Sequence, residues 1–264
     1  MRTSIGIFDS GIGGLTVLKE LQKRFKGANF FYFGDTARYP YGSKSEKTII
    51  RYSLENSHFL LEKGVDLIVV ACNTASSLAL STLKACLPVP VIGVIEPTCN
   101  MVLKQDSTSP IGVIGTRATI ASGAYQKQLL KKLPQEAVIS ASCPLFVPII
   151  EENFSNSDVI KGICREYLAP FKEKKVKRLI LGCTHYPLLE NYIAEELGSD
   201  VQLINPAHAV ADEVEAHVKH TACPQEETFH LFVSDDPIQF ATVGVRFFGH
   251  PIGQVEKAVP AERP

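Results

Sequence analysis

Two short apolar runs, each ending in a cysteine, constrain this chain most tightly. Asp66-Leu67-Ile68-Val69-Val70-Ala71-Cys72 leads into Asn73-Thr74-Ala75-Ser76, and Arg178-Leu179-Ile180-Leu181-Gly182-Cys183 leads into Thr184-His185-Tyr186-Pro187. Each reads as a buried strand that ends in a loop and then opens a helix. In open α/β sheets, ligands bind at such carboxyl ends of strands. Both thiols are therefore expected to face a ligand crevice, and the same one if the strands are equivalent. A second pair of segments repeats at nearly the same spacing: Ile5-Gly6-Ile7-Phe8-Asp9-Ser10 and Ile111-Gly112-Val113-Ile114-Gly115-Thr116. Two matches at similar offsets point to two similar α/β halves.

The rest of the chain alternates in the same way. Strands are expected at Ser4–Phe8, Asn29–Phe33, Pro88–Val94, Ala137–Ala141, Val201–Ile204 and Phe229–Val233. Helices are expected from Leu15 past Leu21, and over Glu46–Lys63, Thr74–Cys86, Ala118–Leu133, Asp158–Phe171, Leu188–Leu197 and Ala207–His220. Another helix opens at Glu96-Pro97-Thr98. Cys143 to Glu152 reads as an irregular apolar loop, Gln239 to Val255 as a tail packing back on one half, and 260–264 as frayed. Strand–helix alternation indicates mainly parallel sheets covered by helices. The fold class expected is α/β with two similar domains, one of residues 1–97 plus 207–264 carrying Cys72, the other of residues 98–206 carrying Cys183.

Several classes of function fall away. Lys plus Arg number 27 and Asp plus Glu 28, which gives no electrostatic case for nucleic acid or an anionic membrane as partner. No apolar run approaches the roughly 18 residues that span a bilayer, and Met1-Arg2-Thr3-Ser4 leads straight into a strand rather than a signal peptide. Seven cysteines, at 72, 86, 99, 143, 164, 183 and 223, are irregularly spaced with no CxxC pair. Free thiols in a reducing cytoplasm fit that pattern, whereas a disulfide framework or zinc ribbon does not.

Chemistry is expected at few places. Asp9-Ser10-Gly11-Ile12-Gly13-Gly14 is a glycine-rich strand-to-helix turn, equally readable as a tight turn or an anion site at a helix start. Asp9 itself, at the end of a buried strand, needs a partner or a task. The loop Gly34–Ser45 offers tyrosine hydroxyls and the Gly42 N–H to a polar ligand. A cysteine near a histidine suggests acyl transfer, which Cys183-Thr184-His185 fits superficially. Two cysteines in matching positions suggest more. Groups on opposite faces of one carbon can remove a proton on one side and deliver one on the other, inverting a stereocentre. A thiol with pKa about 8.5 reaches both of its forms near neutral pH. Asp9 is the candidate proton partner for Cys72; His185 and one of Glu151 or Glu152 are candidates for Cys183. Cys86, Cys99, Cys143, Cys164 and Cys223 read as small hydrophobes, and the histidines other than His185 as structural or solvent-facing.

At these residues the sequence resembles the glutamate racemases of the cofactor-independent Asp/Glu racemase superfamily. The likeness runs through Ile7-Phe8-Asp9-Ser10-Gly11-Ile12-Gly13-Gly14-Leu15, Pro40-Tyr41-Gly42-Ser43, Ala71-Cys72-Asn73-Thr74-Ala75-Ser76 and Gly182-Cys183-Thr184-His185-Tyr186-Pro187-Leu188-Leu189. The resemblance implies two α/β domains with the active site in the cleft between them, and conversion of L- to D-glutamate for peptidoglycan. It implies Cys72 and Cys183 as the acid/base pair, acting on the α-hydrogen of the D- and L-enantiomer respectively, assisted by Asp9, Glu151 and His185. Substrate contacts implied are Asp9, Ser10, Tyr41, Gly42, Asn73, Thr74, Thr116, Thr184 and His185. It further implies no pyridoxal phosphate, no metal, and a homodimer. Asn205-Pro206-Ala207 departs from the Asp- or Ser-containing turn of the family and bears on helix capping. The N-terminus is without the extension of members activated by a peptidoglycan precursor, so that regulation is not expected. Rival readings are a racemase of another amino acid such as aspartate, a role in binding DNA gyrase, and a one-thiol hydrolase. His185 after Cys183-Thr184 resembles the glutamate branch.

Overall fold

A computed structural model describes residues 2–105, 109–218 and 226–261. The first sheet is built from β1 (Ser4–Asp9), β2 (Asn29–Gly34), β3 (Leu67–Val70), β4 (Val91–Gly93), β9 (Thr228–Val233) and β10 (Val255–Lys257), in the order β10-β9-β2-β1-β3-β4. The second holds β5 (Ile111–Gly115), β6 (Val138–Ser142), β7 (Arg178–Gly182) and β8 (Gln202–Ile204), in the order β6-β5-β7-β8. All the pairings are parallel. β2-β1-β3-β4 and β6-β5-β7-β8 are thus the same arrangement twice. Cys72 follows β3, and Cys183 follows the equivalent strand β7.

The helices cover the sheets because the strands are apolar on both faces. β3 and β7 are buried throughout, as central parallel strands must be. The helices are α1 (Leu15–Arg24), α2 (Glu46–Glu62), α3 (Asn73–Leu78), α4 (Leu80–Cys86), α5 (Ile95–Lys104), α6 (Arg117–Ala121), α7 (Ala124–Leu129), α8 (Phe146–Glu151), α9 (Ser157–Glu173), α10 (Glu190–Leu197), α11 (Pro206–His217) and α12 (Pro237–Phe248). α11 packs on α1 and α5. Asn205 accepts a hydrogen bond from Ala207 N at 3.0 Å and caps α11, with Pro206 at its first turn. The unusual Asn205-Pro206 is therefore a working helix start.

Some expectations need correction. The single helix expected over Thr74–Cys86 is two, α3 and α4, meeting at Ala79. Ala118–Leu133 is likewise broken, at Gly123, whose φ of 64° lies in the left-handed region. The strand expected from Pro88 is only Val91–Gly93, since proline cannot donate to a ladder. The loop at 143–152 contains α8, where Pro148 sits in the first turn and its missing N–H costs nothing. The tail is a helix, α12, and an edge strand, β10, and it touches both halves. His220, Cys223, residues 106–108 and residues 262–264 lie outside the described residues.

Candidate active site

The parallel arrangement brings the ends of β1, β3, β5 and β7 together. Ser10, Tyr41, Gly42, Asn73, Thr74, Thr116, Glu151, Thr184, His185 and both Cys72 and Cys183 line one cavity of about 330 Å³. That is a small-molecule volume. Asp9 is fully buried just behind its wall, receiving the Thr184 hydroxyl on Oδ1 at 3.4 Å.

Each thiol has its own surroundings. Cys72 is the N-cap of α3: Sγ accepts from Ala75 N at 3.5 Å and lies 3.6 Å from Ser10 Oγ. Burial, with the Asp9 charge added, pushes its pKa up to about 12. Burial also lifts Asp9 from 3.8 to about 6, against the pull of His185, the Gly11 and Gly14 amides and the Thr184 hydroxyl. The Gly11 and Gly14 amides of the glycine turn are thus directed at the chain's own Asp9 carboxyl group. The glycines are also needed for closeness. A Cβ on Gly13 would stand 2.2 Å from Thr184 Oγ1 and 2.4 Å from His185 Nδ1, and one on Gly14 would stand 2.6 Å from Asp9 Cβ.

On the other side, His185 Nδ1 lies 3.9 Å from Cys183 Sγ, and Nε2 lies 2.7 Å from Glu151 Oε1. Geometry therefore selects Glu151, rather than Glu152, as the carboxylate beside His185. Burial opposes a charge on His185, but the contacts with Cys183 and Glu151 outweigh it and push the pKa up to about 10. The ring thus presents one nitrogen to the Cys183 sulfur and the other to the Glu151 carboxylate. The two sides are chemically unlike: one sulfur near a carboxylate, the other beside an imidazole held by a carboxylate.

Polar contacts between the halves set the gap across the cavity. The Thr74 hydroxyl is 3.0 Å from that of Thr116 and 3.2 Å from that of Thr119. Tyr125 OH donates to Asn73 Oδ1 at 2.6 Å, and the Thr16 hydroxyl bridges the carbonyls of Gly13 and Thr184 at 2.9 and 3.0 Å. Tyr41 lines the cavity, but its hydroxyl is not turned to a ligand as expected. It donates to Asp35 and accepts from Asn56 at 3.0 Å. Arg38 completes this buried network by binding Asp35, Glu55 and Asn56. The network fixes the loop that carries Gly42 to the cavity, where a Cβ on Gly42 would stand 2.9 Å from Thr116 Cβ.

Apart from Tyr39 of the Gly34–Ser45 loop, the other residues at the site carry no sequence signal. Tyr39 stacks beside His185 with centroids 6.4 Å apart, and Phe247 meets the same ring edge-on at 5.2 Å. Thr16 and Arg246 are equally silent: their contacts come from helices remote in sequence. Among the described residues, Cys99, Cys143 and Cys164 are buried away from the cavity lining, as expected of cysteines that only pack, whereas Cys86, expected to pack likewise, is exposed.

Comparison with known proteins points one way. Residues 10–214 match the family model for Asp/Glu/Hydantoin racemase. The glutamate racemase of Geobacter metallireducens is 45% identical over 256 residues, covering 96% of this chain and 95% of that protein. The crystal structure of glutamate racemase isoform RacE1 from Bacillus anthracis superposes with a TM-score of 0.91 at 34% identity, over 97% of each chain. That of glutamate racemase from Francisella tularensis in complex with D-glutamate gives 0.88 at 36% identity, over 99% of each. A family match over most of the chain, relatives of this identity along nearly its whole length, and two thiols at equivalent strand ends in one cavity agree: this chain belongs to the Asp/Glu/Hydantoin racemase family, among the cofactor-independent racemases that include the glutamate racemases.

Proposed function

We propose that the protein interconverts L- and D-glutamate by a two-base mechanism, with Cys72 and Cys183 on opposite faces of Cα. The observation that carries this reading is their placement at equivalent strand ends on one small cavity, each with a separate proton partner. From D-glutamate, the Cys72 thiolate takes the α-hydrogen, the C–H electron pair passes to the α-carboxylate as an enediolate, and the Cys183 thiol delivers a proton to the opposite face. From L-glutamate the roles reverse. Asp9 holds the proton that Cys72 must lose before it can act. His185, fixed by Glu151, exchanges a proton with Cys183. Ser10, Asn73, Thr74, Thr116, Thr184 and the Gly42 N–H hold the substrate's polar groups, and hydrogen bonds to the enediolate lower the barrier. The scheme calls for no cofactor and no metal.

The further parts of the reading rest on kinship. The structure of a relative in complex with D-glutamate supports glutamate as the substrate. We assign the product to peptidoglycan supply in the cytoplasm, the assembly to a homodimer, and the domain division to 1–97 plus 207–264 and 98–206. Among the described residues, no helix is long and apolar enough to cross a membrane. Chiral chromatography of L-glutamate, D-glutamate and both aspartates, each incubated with protein and no added cofactor, tests the assignment. Glutamate should reach a racemic mixture from either side, with aspartate far slower. Equal or faster turnover of aspartate would move the chain to another branch of the family.

A further inference from the structure

The Cys183 side of the site is gripped from the opposite half. α12 packs on α1 and contacts β9 and β10, all part of the first half. Its Arg246 nevertheless reaches across. Nη1 donates to Asn153 Oδ1 at 2.6 Å, and Nη2 donates to the main-chain carbonyl of Glu151 at 3.0 Å. The next residue, Phe247, is buried with its ring nearly perpendicular to that of His185, at 83°. Glu151 is the last residue of α8, where helix carbonyls have no partner within the helix. Two residues on, Asn153 turns the chain with a φ of 49°. One guanidinium thus ties both the end of α8 and the turn after it.

We propose that Arg246 is a positioning residue for the Cys183 proton relay. By holding the main chain of Glu151 and the Asn153 turn, it keeps the Glu151 carboxylate at His185 Nε2 and so keeps Nδ1 of the same ring aimed at Cys183. The inference rests on the reading in which His185 and Glu151 serve Cys183. The polar groups facing the imidazole come from four elements: Cys183 and Thr184 on its own loop, Glu151 from α8, Asp9 from β1, and Tyr39 from the loop after β2. Arg246 contacts the Glu151 carbonyl rather than any of these, so it acts through placement. α8 is a single short helix, and a displacement of about 1 Å at a reacting group costs on the order of 100-fold.

The test compares Arg246→Gln, Arg246→Lys, Asn153→Gly and Glu151→Gln with the wild type, by glutamate racemisation in both directions across pH. Enantiomers in water have equal free energies, so kcat/KM must fall equally in the two directions for every variant. The informative quantities are the split between kcat and KM and the alkaline limb of kcat/KM. Arg246→Gln should lower kcat roughly 10- to 100-fold with little change in KM. It should also move the alkaline limb towards lower pH, in the direction of Glu151→Gln. Arg246→Lys should recover part of both, and Asn153→Gly, which keeps the turn and removes one acceptor, should show a smaller shift of the same sign. If Arg246→Gln does not fold, the last two variants carry the same prediction. An unshifted limb and unchanged kcat in the folded Arg246 and Asn153 variants, with Glu151→Gln impaired, would overturn the positioning role alone. Wild-type activity in Glu151→Gln as well would overturn the relay reading together with it.

Discussion

Replacing Asp9 by Asn is expected to weaken the enzyme and to make its stability relative to the wild type rise with pH. Asp9 is fully buried, and burial lifts its pKa from 3.8 to about 6. A carboxyl group whose folded pKa lies above its unfolded value is penalised in its charged form. The penalty is absent below the unfolded pKa, grows as pH rises through the interval, and is complete above about 6. An interval of about 2 pKa units corresponds to about 3 kcal/mol at full ionisation. At pH 4.5 about 1 kcal/mol of it is already present, so the stability of Asp9→Asn relative to wild type should rise by about 2 kcal/mol between pH 4.5 and pH 8. The Asn amide adds a constant offset, because Oδ2 has no hydrogen-bond partner and an N–H group placed there would stay unpaired. That offset does not depend on pH, so the slope isolates the charge. The chain has no tryptophan, so urea unfolding is followed by far-UV circular dichroism at several pH values. Racemisation should fall roughly 10²- to 10⁴-fold with the loss of a proton acceptor near Cys72. A stability difference independent of pH, or one that falls as pH rises, would refute the reasoning.

Two further outcomes follow from the same geometry. The profile of kcat/KM should be bell-shaped, rising through about pH 6 as Asp9 ionises and falling through about pH 10 as His185 loses its proton; a profile flat across pH 5–7 would remove Asp9 from the mechanism. Gly13→Ala should cost about 1–3 kcal/mol in urea unfolding and most of the racemase activity, because its Cβ would stand 2.2 Å from Thr184 Oγ1 and 2.4 Å from His185 Nδ1; full activity would show that the Thr184-His185 loop moves without penalty.

What the sequence made legible follows from chain-local physics. β3 and β7 were readable because strands buried on both faces are continuous apolar runs, and the small polar residues after each mark a helix start. The repeat of β2-β1-β3 as β6-β5-β7 was foreshadowed by the match of Ile5–Ser10 with Ile111–Thr116. The choice between Glu151 and Glu152 was closed to reading of the residues themselves, since adjacent acids differ only in which one a fold turns towards His185. α8 was hidden by Pro144 and Pro148, which resemble breakers until the helix is seen to start between them. The Tyr41 hydroxyl was misread because its partners, Asp35 and Asn56, come from a loop and from the far end of α2. Arg246 and Phe247 were invisible for a like reason: they sit in an ordinary amphipathic helix, and only their reach from α12 to Glu151, Asn153 and His185 gives them a role.

The central claim is that two thiols act on one carbon from opposite faces. It is tested most directly in D2O, by following L- and D-glutamate separately with the wild type, Cys72→Ala and Cys183→Ala. The wild type should racemise each enantiomer and place deuterium at Cα of the inverted product, and both folded variants should lose racemisation in both directions. Sustained racemisation by either single variant, or inversion by the wild type without deuterium at Cα, would contradict the two-thiol account.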